Sequence, residues 1–240
     1  MNMLIRDAWV IFKRDLKIEK YILLISILFM VYLGVMVGIP IEDQLGDPNE
    51  LSPVSDIFLL TFMPMLGFYF SKKSFRYLTE DSYTKMLIYL RSLPIPPKVI
   101  MGYRHLQMLM AFIINSVIVF SVMYGMSPQL RLEMSIGTYI CFALTWIGYA
   151  LAITGIYIYL EFMYSGTRYF WMTMMIMGTA IIAGIVVRLL DGNLLLYTVK
   201  ASQEWGILSP VMWGTLGIGI LCLFVLGKFT LSKLQNRDLL

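Results

Sequence analysis

The stretch Thr79–Gly102, TEDSYTKMLIYLRSLPIPPKVIMG, decides how the rest of the chain is read. Thr79 is a suitable N-cap, and Glu80 and Asp81 put negative charge on the positive end of the helix dipole. Met86, Leu87, Leu90 and Leu93 recur at helical spacing, and Pro94 stops the run, since the residue before a proline is pushed out of the α region. Pro96 and Pro97 stiffen the exit. Such a helix is too short to cross a bilayer and flanked by charge, so its apolar stripe must lie against something. Three surfaces would serve: lipid headgroups, the rest of this chain, or a separate protein. The surrounding sequence bears on which.

The 240 residues are 59% apolar and 14% charged, with a mean hydropathy of +0.75. That is the composition of a polytopic membrane protein, not of a soluble domain. Working outward, six apolar stretches are expected to span: 21–39, 54–71, 106–125, 136–160, 169–187 and 211–229. The second is the shortest and carries Pro64, which removes a backbone donor and predicts a kink. Residues 2–20 read as an amphipathic helix lying in the membrane interface. Arg6, Lys13, Lys17 and Lys20 fall on one face and Leu4, Ala8, Ile11, Phe12 and Leu16 on the other, with Asp15 interrupting the apolar side. No cleavable signal peptide is expected there.

Charge sets the orientation. With the N-terminus inside, sixteen of the nineteen basic residues fall in inner segments, leaving only Arg131, Arg188 and Lys200 outside. Both termini and the proline-stopped helix are then cytoplasmic. The first outer loop, PIEDQLGDPNELSPVSD, holds no basic residue. Residues 189–210 are apolar only in patches, which predicts one or two half-helices dipping into the outer leaflet or capping the bundle. Gly34 with Gly38, and Ala180 with Gly184, offer small faces for close helix approach, within one subunit or at a dimer seam. The whole chain, 1–240, reads as a single membrane domain.

The chemistry of an enzyme is missing from the sequence. Gly227-Lys228 is followed by Phe229, not by the residues of a phosphate-binding loop. His105 is the single histidine, and Cys141 and Cys222 sit in separate apolar runs, so neither a metal site nor a disulfide is expected. Nothing indicates nucleic-acid binding. Asp56, Glu161 and Arg188 fall at span ends, within reach of the interface, and Arg168 is the expected structural partner of Glu161. Ion-coupled carriage needs such groups nearer the midplane. An energy source for transport would therefore lie in another protein.

The acid pair Glu80-Asp81, followed by Lys85-Met86-Leu87-Ile88-Tyr89-Leu90-Arg91-Ser92-Leu93-Pro94-Ile95, resembles the pattern of permeases of the ABC-2-type exporter family. There, two acids precede a short helix, L-x-S-L-P-[IV], and a run into the third span. The similarity covers the whole chain, with Pro96 and Pro97 where the family often has Ser and Arg, and Arg104 where lysine is usual. The resemblance implies an all-α membrane protein: six spans, an N-terminal interfacial helix, and a cytoplasmic coupling helix between spans two and three. It further implies the permease subunit of an ATP-driven exporter in a cell membrane, of bacterial type, paired with a second permease chain and driven by a separate ATP-binding-cassette ATPase. No cofactor is expected in this chain, ATP being bound by the partner subunit, and the chain itself is not expected to be an enzyme. Met86, Leu87, Tyr89, Leu90, Arg91, Leu93 and Pro94 would form the docking surface, capped and oriented by Glu80 and Asp81. Burial of a few apolar side chains, at about 1.5–3 kcal/mol each, is enough to hold such a partner. The nineteen methionines fit either an adaptable path for hydrophobic or amphipathic cargo (peptide, drug or lipid-like) or simple gap-filling between helices. A rival reading is a non-transporting membrane sensor or assembly protein that holds a cytoplasmic partner.

Overall fold

The computed structural model describes residues 3–18, 20–47, 52–69, 81–92 and 95–235, with side chains at all of these except 3–5, 16–18, 20, 82, 83, 90, 91 and 235. It is 91% helical with no strands among the described residues. In order, the helices are α1 (Met3–Ile18), α2 (Lys20–Gly46), α3 (Val54–Phe62), α4 (Ser82–Ser92), α5 (Pro97–Met126), α6 (Pro128–Glu133), α7 (Ile136–Met163), α8 (Gly166–Leu189), α9 (Leu194–Trp205) and α10 (Pro210–Gln235). Among the described residues, five are long and apolar enough to cross a membrane, namely α2, α5, α7, α8 and α10. The chain is thus a membrane-embedded helical protein.

The segment expected as a second span departs from expectation. It is a nine-residue α-helix that tightens into a 3₁₀ turn over Met63–Gly67, fourteen helical residues in all, shorter than a regular spanning helix. Pro64 is the physical reason. It has no N–H to give the carbonyl of Leu60 four residues back, and the Tyr149 hydroxyl from α7 donates to that carbonyl instead, at 2.8 Å. Beyond the turn, Phe68 is extended. The Asn115 side-chain amide of α5 donates to the carbonyls of Leu66 and Phe68 at 2.9 and 3.2 Å. Non-helical backbone is thereby satisfied by neighbouring spans where a bilayer offers no water.

The 189–210 connection forms one short helix, α9, and a 3₁₀ turn at Gly206–Leu208, with Leu195 and Val199 buried against the bundle. Asp56 does not reach toward solvent as its position at a span end had implied. It is buried and accepts the Leu194 and Leu195 backbone N–H groups at 2.7 and 2.8 Å, while Asn193 caps the same helix through Leu196. A helix start carries unpaired amides and partial positive charge, which is what a buried carboxylate needs.

Small residues set the closest helix contacts. The Gly34–Gly38 face of α2 lies on α5, where a Cβ at Gly34 would come within 2.9 Å of Val122, and Gly184 of α8 lies on Ile57 of α3. Both faces are used inside the chain. The tightest approach was not anticipated: α7 meets α10 at Gly148, where a Cβ would sit 2.5 Å from the backbone of Thr215 and Leu216, with Gly219 facing the Gly148 carbonyl. Two backbones at this distance leave nothing flexible to give way. Gly148→Leu is expected to push α7 and α10 apart and lower stability by about 1–3 kcal/mol or more, read as a lower melting temperature in detergent; unchanged melting would contradict the packing.

Candidate partner-docking site

One end of the bundle gathers α1, α4, the start of α5, the end of α7, the start of α8 and the end of α10. Its elements are joined by long-range polar contacts. α1 lays Ala8 and Phe12 against Val99 and Tyr103 of α5 with Ile11 beside them, so this part of the apolar face expected from sequence is covered by this chain; the side chains of Leu4 and Leu16 lie outside the described ones. Asp15, which interrupted that face, accepts a short hydrogen bond from the Tyr103 hydroxyl. That hydroxyl in turn accepts from the Gln107 amide at 2.6 Å. The acid thus has a donor waiting where the apolar stripe was broken.

α4 begins one residue after Asp81, which occupies the capping position; Thr79 and Glu80 lie outside the described residues. The Asp81 carbonyl accepts the Lys85 N–H at 3.1 Å, and its carboxylate accepts the Thr84 hydroxyl at 3.0 Å. The same carboxylate oxygen accepts the N–H of Gly166, the first residue of α8, at 2.8 Å. Asp81 has φ +46°, a left-handed conformation that aspartate tolerates better than most residues. One side chain therefore fixes two helix starts, and the short helix is pinned to a spanning one.

The two faces of α4 differ. Leu87 is 2% exposed and belongs to the main core, with Met86 packed beside it, so Leu87 anchors the helix to its own chain and is not on its free face. Ile88 is 44% and Tyr89 55% exposed, with Lys85 and Ser92 also outward. The Ser92 hydroxyl donates to the Tyr89 carbonyl at 2.8 Å at the end of the helix. Leu90 and Arg91 lie in the last turn, and Leu93 and Pro94 fall outside the described residues. The free face thus presents an aliphatic and an aromatic side chain beside a cation.

Glu161 corrects the expected pairing. Its partner is Arg104, not Arg168: the Arg104 Nε donates to both carboxylate oxygens at 3.1 and 3.0 Å, and Nη2 donates to one at 2.8 Å. The side chains are only 12% and 7% exposed. Arg168 lies past the α7–α8 turn and is exposed, whereas Glu161 faces α5 from inside the bundle. Arg104, a cation at the head of an apolar run, was the available sequence signal. Its partner, 57 residues away, was not legible. Removing one member of a buried pair strands the other, so Glu161→Ala is expected to lower stability by about 3–5 kcal/mol, and Arg104→Met with Glu161→Met by less. Denaturant titration in detergent reads both; a double variant worse than the single would contradict the pairing.

Comparison of the chain with protein-family models, with curated proteins and with solved structures finds no match in any of the three.

Proposed function

We propose that this chain is the permease subunit of an ATP-driven exporter of ABC-2 type, coupled through α4 to a separate ATPase subunit. The observation that carries the reading is the two-faced character of α4. It is held on the core by Leu87 and tied to α8 by Asp81, yet it turns Ile88 and Tyr89 outward. A helix fixed at its root and apolar at its surface transmits force instead of yielding to it. It lies at the end of the bundle that also holds α1, where the charge asymmetry reads as cytoplasmic. A partner there would bury the Ile88 and Tyr89 side chains, an aromatic anchor of the kind that dominates interfaces.

The spans α8 and α10 bury little of their surface in this chain, which leaves them open to lipid and to a second permease chain. Cargo is of hydrophobic or amphipathic class in this reading, moving along an interface rich in methionine and aromatic side chains.

The test is purification from mild detergent with the associated soluble proteins retained. An ATP-hydrolysing subunit is expected to coelute with the wild type. In the Ile88→Glu, Tyr89→Glu double variant its yield should fall at least tenfold while the chain's melting is unchanged. Leu87→Glu should instead destabilise the chain itself. Coelution undiminished in the double variant, or no ATPase with the wild type, overturns the proposal; a partner retained without ATP-driven transport points to a sensor.

A further inference from the structure

A groove of about 600 Å³ opens between α5 and α10, with Leu151 of α7 also in its lining. Met101, Met108 and Leu109 form one wall, and Ile220, Leu223 and Phe224 the other. The groove takes in Lys98 to Leu109 of α5 and Ile220 to Leu231 of α10, with Gly227 of α10 set against His105 and Met101 of α5. At 1.5 Å per residue, the eleven steps from Lys98 to Leu109 give a length of about 16 Å. Half of a bilayer's hydrocarbon core is about 15 Å. The groove is one leaflet deep.

Its charged lining is two lysines, Lys98 and Lys228, the Lys228 ammonium lying 4.3 Å from the centre of the Phe224 ring, and no carboxylate lines the groove. Two cations in the lining of an otherwise apolar slot suit an occupant that carries both an anion and hydrocarbon. The space between has a residue-level cause. His105 turns Nδ1 to the Met101 carbonyl at 2.9 Å, and Gly227 opposite its ring has no side chain; a Cβ there would lie 3.2 Å from Nε2. A larger residue at 227 would fill the slot from within.

We propose that this groove holds an acyl chain of one anionic phospholipid, whose phosphate is held by Lys98 and Lys228. Neutral lipid fits the walls but leaves the two ammonium groups without a counter-charge at the membrane boundary. Basic recesses between spanning helices bind acidic headgroups for this reason. The inference does not depend on α4 or on an ATPase.

The experiment is native mass spectrometry of the full chain in mild detergent, titrated with dioleoyl phosphatidylglycerol or dioleoyl phosphatidylcholine. The wild type is expected to retain one phosphatidylglycerol at least fivefold better than phosphatidylcholine. In Lys98→Gln, Lys228→Gln the preference should fall below twofold, while Lys200→Gln, a lysine change outside the groove, leaves it intact. Gly227→Leu keeps both lysines and fills the slot, so its phosphatidylglycerol retention should fall at least fivefold. This second variant decides the matter if the lysine double variant does not purify. Equal retention of the two lipids by the wild type overturns the proposal. So does a preference that survives in the lysine double variant, or full retention in Gly227→Leu.

Discussion

The first amides of a helix have no partner within that helix, and a bilayer provides no water to supply one. Three helices here begin on a carboxylate delivered from far along the chain. Asp81 takes the first amide of α8 from 85 residues away, and Asp56 takes the first two of α9 from 138 and 139. Glu42 of α2 takes the Gln129 amide at the start of α6 from 87. Each contact satisfies a helix end and an acid at once, because the partial positive charge of the one answers the full negative charge of the other. The short elements, which bury too little to place themselves, are located by these ties.

The Arg104–Glu161 pair does similar work between two full spans. Apolar contacts alone would let α5 and α7 slide and rotate, since lipid is as good a neighbour as another leucine. A forked cation on a buried carboxylate admits one register. Close to it, the Gln107–Tyr103–Asp15 chain of hydrogen bonds holds α1 on α5. Such ties stand at both ends of the bundle: these and the Asp81 contact at the end that carries α4, and the Asp56 and Glu42 contacts at the other.

Five spans were legible in the sequence because twenty or so apolar residues in a row admit few other readings. The second stretch failed that test for a local reason, Pro64, whose effect on winding depends on Tyr149 and Asn115 in other helices. The α7–α10 contact is not legible in either helix alone, because Gly148 and Gly219 face each other across two. On α4, apolar residues occupy nearly every side, so periodicity placed a helix there but did not separate buried Leu87 from exposed Ile88 and Tyr89. Thr79 reads as the cap from sequence and Asp81 as charge on the dipole, whereas Asp81 itself stands at the helix start; that it also holds α8 is a tertiary fact with no local trace.

The 3₁₀ turn at Pro64 makes the reach of its segment a matter of winding. A 3₁₀ residue advances about 2.0 Å and an α residue about 1.5 Å, so the five residues Met63–Gly67 gain about 2.5 Å over regular helix. The Asn115 amide meets Leu66 and Phe68 at 2.9 and 3.2 Å, a fit that a retraction of that size would undo. Proline at this point acts as a spacer: it lengthens a strut whose residue count is too small, and the far anchorage exists because the coil is stretched.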